Sequence, residues 1–113
     1  MAQFRLGMIY LSQKSSYSKA LSCFLIAEGS PSLQSDALLY SGVCLQKLGN
    51  YQEALTKLDQ ARKLTPKNGL IYYYLAYHEL YSNNDKKQAC EIWNYALSLG
   101  TKEAEIQIKQ HCN

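Results

Sequence analysis

The 113-residue chain is one domain's worth of polypeptide; 47% hydrophobic residues can build a core, and two prolines and six glycines are few for an all-β or disordered chain. The formal charge is +3 and no Lys/Arg run exceeds two residues (Arg62-Lys63, Lys86-Lys87), so the dense basic face that nucleic acid requires is missing. No apolar stretch approaches the roughly 20 residues that span a bilayer, and Met1-Ala2-Gln3-Phe4-Arg5 lacks the charged-then-apolar design of a signal peptide.

Apolar residues recur at helical spacing along the whole chain. The pattern predicts helices near 2–13, 17–28, 32–48, 51–64, 67–81, 85–99 and 102–111. The turns between them are polar or contain glycine: Gln13-Lys14-Ser15-Ser16, Gly49-Asn50 and Ser82-Asn83-Asn84-Asp85. Ser30-Pro31 and Thr65-Pro66 each supply a hydroxyl N-cap followed by proline at the first helical position, and Gly100-Thr101 stops one helix and caps the next. Residues 102–111 form a shorter helix in which Ala104 and Ile108 share a face with Cys112, while Lys102, Glu105 and Lys109 face water. A helix already running at residue 2, with no cap sequence before it, fits a piece of a longer array as well as a complete chain.

Cys23, Cys44, Cys90 and Cys112 are widely spaced, none in Cys-x-x-Cys, and with two histidines they form no zinc constellation. Four free thiols are expected, with no metal and no cofactor. That composition points to a reducing compartment, most simply the cytoplasm.

A repeat underlies the helices. At a shift of 34 residues Tyr17 meets Tyr51, Ala20 meets Ala54, Leu21 meets Leu55, Ala27 meets Ala61, Leu11 meets Leu45, and Met8 meets Gly42 and then Ala76. The register then slips by one, so that Ala54–Ala89, Leu58–Trp93 and Ala61–Ala96 are 35 apart, and the slip falls in the polar segment Asn84-Asp85-Lys86-Lys87-Gln88. Small residues fit where helices cross, Gly42 and Ala54 within a hairpin and Ala27 and Ala61 between hairpins. Leu38, Leu45, Leu55 and Leu58 fill the space around them.

Residues 35–68 carry Leu38, Ser41, Gly42, Leu45, Ala54, Leu58, Ala61 and Pro66, with the turn Leu48-Gly49-Asn50-Tyr51-Gln52-Glu53-Ala54. This resembles the tetratricopeptide repeat throughout. The first unit matches through Phe4, Leu11, Tyr17, Ala20, Phe24 and Ala27, with Gly7-Met8 where Leu-Gly is usual. The third matches through Tyr72, Leu75, Ala76, Trp93 and Ala96, and departs at Glu79. The resemblance implies an all-α fold: a single domain over 1–113, an α-α superhelix of three hairpins (about 1–34, 35–68 and 69–101) and a C-terminal capping helix at about 102–111.

In that family the first helices line a concave groove that holds ligands. The corresponding face here gives Arg5 and Ile9 in the first unit, Leu39, Tyr40, Val43 and Lys47 in the second, and Leu70, Tyr73, Tyr74, Tyr77 and Tyr81 in the third. Tyrosine suits a surface that must be both wet and adhesive. Two readings stay open. The stripe takes apolar side chains of a peptide, or the tyrosines pack on one another or beneath the 102–111 helix. The first is preferred, because Tyr72, Leu75 and Ala76 already occupy the packing face. The basic-and-asparagine clamp by which some family members hold a chaperone's C-terminal carboxylate is poorly matched, since Ile9, Tyr40, Leu70 and Tyr74 stand at four of its positions.

Catalysis has little support. Cys44 and His78 occupy equivalent positions on successive first helices, whose axes lie about 8–10 Å apart, too far for nucleophile activation. Glu53–Lys57 and Asp59–Lys63 read as i,i+4 pairs on a solvated face. The expected function is a non-catalytic interaction module, a scaffold or adaptor that binds a protein or peptide partner in a hetero-oligomeric assembly, without nucleic acid or membrane insertion. The alternative is a small chaperone of a type III-like secretion system that shields a hydrophobic segment of a secreted subunit.

Overall fold

The computed structural model describes residues 2–112; Met1 and Asn113, the ends of the expected 1–113 span, lie outside the described residues. Every regular element described is helical. The α-helices are α1 (Ala2–Leu11), α2 (Tyr17–Ala27), α3 (Gln34–Lys47), α4 (Tyr51–Leu64), α5 (Gly69–Tyr81), α6 (Lys86–Ser98) and α7 (Glu103–His111), with short 3-10 turns at Lys14–Ser16 and Pro31–Leu33. All seven predicted helices are present. Among the described residues none is long and apolar enough to cross a membrane. The chain divides into two compact units, Met1–Leu64 and Thr65–Asn113.

In the first unit α1 packs on α2, α2 on α3, and α3 on α4. The α3–α4 crossing is made at Gly42, where an added Cβ would stand 2.9 Å from Leu58 Cγ and 3.3 Å from the Ala54 carbonyl oxygen. Ala54, Leu58 and Ala61 are fully buried there. The α1–α2 crossing uses Gly7, whose added Cβ would lie 2.8 Å from Phe24 Cε1. The repeat register aligned Met8 with Gly42, yet Met8 is 36% exposed. The first hairpin therefore carries one more residue between its crossing points, 7 to 24 against 42 to 58, and its turn includes the 3-10 segment Lys14–Ser16.

Glu28, at the C-terminal end of α2, ties three helices together. Its carboxylate accepts from the hydroxyl of the fully buried Ser41 at 2.8 Å and pairs with Lys57 at 2.9 Å. This corrects the expected Glu53–Lys57 pair. Asp59 likewise pairs with Arg62, three residues on, rather than with Lys63. A partner on a neighbouring helix satisfies Ser41 as well as Lys57, which an i,i+4 partner on α4 does not.

The helix ends follow backbone chemistry. Gly49 (φ 83°) and Gly100 (φ 97°) adopt the left-handed conformation that ends a helix. Each builds the same pair of bonds, Asn50 N–H to Leu45 O with Gly49 N–H to Gln46 O, and Thr101 N–H to Ala96 O with Gly100 N–H to Leu97 O. Asp85 caps α6 through Gln88 N–H. Asn68, not Thr65, caps α5 by accepting from Leu70 N–H, so Pro66 lies in the preceding turn, where its carbonyl accepts from the Tyr72 hydroxyl. Ser30 makes no side-chain cap bond.

In the second unit α5 packs on α6 and α6 on α7. The core is Ala76, Ala89, Trp93, Ala96 and Ala104, bordered by Tyr73, Tyr77, Ile108 and Cys112. The expectation of four free thiols is corrected here. Cys90 and Cys112 form a disulfide, with Cα atoms 5.7 Å apart. Residues 90 and 112 are equidistant from Thr101, so an α6–α7 hairpin that turns there brings them level. Only Cys23 and Cys44 are free, and both are buried, so the argument from thiols to a reducing compartment loses half its support.

Two expected outcomes follow from this packing. Gly42→Val or Ala54→Leu drives a side chain into the α3–α4 crossing and should lower stability by roughly 1–3 kcal/mol or more; thermal melts matching the parent would show that the crossing lies elsewhere. Thiol titration of denatured, unreduced protein should count two thiols, Cys23 and Cys44, rising to four after reduction; a count of four before reduction would contradict the Cys90–Cys112 bond.

Candidate partner-binding surface

The residues expected to meet a partner fall into one set in each unit. In the first, Arg5, Ile9 and Lys47 are exposed, Ile9 to 56%. Leu39 and Val43 are not available to a partner, being 1% and 2% exposed and part of the core. Tyr40 is half-buried. Its ring stacks on Phe24 at 5.6 Å and meets the edge of Phe4 at 5.9 Å, where α1, α2 and α3 come together. Helical periodicity placed these three on a face opposite the packing stripe; α3 is instead enclosed over an unbroken run from Ala37 to Leu45 except for Tyr40.

In the second unit α5 is apolar or aromatic around nearly its whole circumference, so periodicity could not tell its faces apart. Leu70, Tyr73, Tyr74 and Tyr77 are half-buried and Tyr81 is 57% exposed. The tyrosines form a continuous ladder. Tyr73 meets Tyr74 edge-on at 5.1 Å and Tyr77 at 5.2 Å, Tyr74 lies 6.1 Å from Tyr77, and Tyr77 stacks on Tyr81 at 5.7 Å.

The two ends of the ladder differ. At the inner end the Tyr73 and Tyr77 hydroxyls bond at 3.1 Å, and Gln107 Nε2 of α7 donates to the Tyr73 hydroxyl at 3.3 Å. Tyr77 also meets the edge of Trp93 at 5.4 Å. These two tyrosines pack on one another and beneath the final helix, the second of the two readings left open by the sequence. Burial, aided by the bond to Tyr73, pushes the Tyr77 hydroxyl well above the ordinary tyrosine range. At the outer end Tyr81 reaches solvent and Tyr74 is partly open.

Sequence reasoning missed Gln107, His111 and the disulfide. His111 stacks on Trp93 at 5.5 Å, with 20° between the rings. The signal that was available is the symmetric placement of Cys90 and Cys112 about the Gly100-Thr101 turn.

A catalytic centre has no geometric support in the first unit. Burial, and secondarily Cys23, pushes the Cys44 thiol up to about 12, the opposite of what a nucleophile needs. Among the described residues no three His, Cys, Asp or Glu side chains converge as a metal centre requires. An open depression of about 490 Å³ lies beside the Glu28–Lys57 pair, with Leu38 and Leu64 in its lining.

Residues 35–68 match the family model of the tetratricopeptide repeat, and the seven helices described around that segment fit the helical-hairpin architecture of such a protein. The matched segment is the α3–α4 hairpin with the residues just beyond it. This family is generally a protein–protein interaction fold rather than a catalytic one. No curated protein matches the chain.

The half-buried Tyr77 makes a pH-dependent contribution. A raised hydroxyl pKa in the folded state keeps its stabilisation complete below about pH 10, the unfolded value, and loses it as pH rises further. Tyr77→Phe should be less stable than the parent by about 1 kcal/mol at neutral pH. The gap should narrow above about pH 10. Thermal melts of both proteins across that range would show it, and a gap independent of pH would remove Tyr77 as the responsible group.

Proposed function

We propose that this chain is a scaffold or adaptor built of three tetratricopeptide units, about residues 1–34, 35–68 and 69–101, closed by the helix at 102–111. It holds a protein or peptide partner through the exposed end of the tyrosine ladder. The observation that supports this most is Tyr81. It is 57% exposed, yet its ring is stacked on Tyr77, which is in turn anchored on Trp93. A rigid aromatic held half in water adds contact area at little entropic cost. Tyr74 and Leu70, partly open on the same helix, extend the surface along α5. Arg5, Ile9 and Lys47 are the corresponding candidates of the first unit. Leu39, Val43 and Tyr40 serve packing within the first unit, and in the second the inner pair Tyr73 and Tyr77 supports the surface from behind.

Affinity capture from the native source, followed by calorimetry with the partner so identified, tests the proposal. Tyr81→Ala should weaken binding by about 2 kcal/mol or more, roughly thirtyfold, as anchor aromatics do. Its melting temperature should fall much less, because more than half of the residue is exposed and the core of the unit lies elsewhere. Unchanged affinity in Tyr81→Ala would place the partner elsewhere. A short secreted partner that folds only in the complex would favour the secretion-chaperone reading over the scaffold.

A further inference from the structure

Helix α7 is nine residues long, far short of the length at which an isolated helix is stable in water. It stays in place through few contacts. Ala104 is fully buried, Ile108 borders the core, Gln107 bonds the Tyr73 hydroxyl, and His111 lies flat against Trp93. The rest of its surface is charged, polar or exposed, including Ile106 at 58%. Its two ends are held covalently, by the Gly100-Thr101 turn at one and by the Cys90–Cys112 disulfide at the other. Neither sulfur-bearing residue is fully buried, so a small thiol can reach the bond.

We propose that α7 is a redox-latched lid: oxidised, the disulfide holds it over the aromatic face of α5 and α6; reduced, it swings away on the Gly100-Thr101 turn and uncovers Trp93, Tyr73 and Tyr77. The reductant is a dithiol. One of its thiolates attacks a protein sulfur, the S–S bond breaks and a mixed disulfide forms. Its second thiol then attacks the reductant's own sulfur in the mixed disulfide and displaces the protein sulfur still bound there. The reductant leaves as a cyclic disulfide, and Cys90 and Cys112 each end as a protonated thiol. The two electrons come from the dithiol. Redox state thereby sets how much aromatic surface the second unit offers a partner, a consequence that rests on the interaction reading above.

The geometry makes the latch specific. The disulfide joins the end of α7 to the second turn of α6, on the same side as the His111–Trp93 stack. Loss of the bond frees the end of α7 that carries the largest aromatic contact. The core beneath keeps the Trp93 indole N–H bonded to the Tyr73 carbonyl at 3.1 Å, along with Ala76, Ala89 and Ala96. The α5–α6 hairpin therefore has a reason to survive when α7 leaves.

Trp93 is the single tryptophan of the chain and is fully buried beside α7, so its fluorescence reports on the loss of that cover. The experiment compares the full chain before and after dithiothreitol, excited where tyrosine does not absorb, with acrylamide as quencher and thiol titration alongside. Reduction should free two thiols, shift Trp93 emission to the red and raise its quenching severalfold. Far-ultraviolet circular dichroism should lose no more than about one short helix. Cys90→Ser with Cys112→Ser should show the open signal without reductant and ignore its addition. Unchanged emission after both thiols are freed overturns the lid, as does a full thiol count before any reductant is added. Loss of helix throughout the chain also overturns it, making the bond a general staple. No partner is present, so failure of the proposed interaction surface would leave this result intact.

Discussion

A hydrogen atom where most residues carry a methyl group lets α3 settle onto Leu58: a Cβ at Gly42 would stand 2.9 Å from Leu58 Cγ, closer than packed carbons tolerate. That approach brings Ser41, next along the helix, within 2.8 Å of the Glu28 carboxylate. A buried hydroxyl without a partner costs about 1–3 kcal/mol, so the carboxylate must be there, and its charge is met by Lys57. The polar brace of the first unit thus depends on the missing side chain at Gly42. Gly7 against Phe24 repeats the device one hairpin earlier, and Ala76 beside Trp93 holds the corresponding place in the second unit.

Much of this was legible in the sequence because the repeat constrains residue size as well as polarity. Alanine or glycine every 34 or 35 residues announces the crossings, and Gly49 and Gly100 mark two helix ends. What the register could not show is a one-residue slide inside a helix. Met8 and Gly42 align in sequence, while Gly7 and Gly42 do the same work in space. A rotation of about 100° separates neighbouring residues on a helix, enough to send Met8 outward. Caps were harder still. Thr65-Pro66 is the start that composition suggests for α5, whereas Asn68 is the residue whose side chain meets the Leu70 N–H.

The face meant for a partner was the least legible feature, for a physical reason. Periodicity separates a buried face from an exposed one only when a helix has two faces. Helix α5 has side chains packed on several sides, against α6 and around Gln107 of α7, so spacing alone assigned Tyr73 and Tyr77 to solvent. The hydroxyls decide the matter: two phenols that bond each other and a glutamine side chain have found partners inside the protein. Tyr81, four residues beyond Tyr77, lies at the last position of α5 and is 57% exposed. The same stripe therefore runs from core to surface along its length.

The two units are held by different means. In the first, an ion pair with side chains only about one fifth exposed, 24% and 17%, joins helices that already share broad apolar contacts. Such a pair adds specificity of register more than stability, since desolvation offsets much of its attraction. In the second, α7 offers the core little beyond Ala104, Ile108 and one imidazole face. Burying these few side chains contributes a few kcal/mol at most. A covalent closure across 22 residues contributes about 3 kcal/mol, comparable to the whole apolar contribution of the helix it fastens. The balance of α7 therefore turns on one bond.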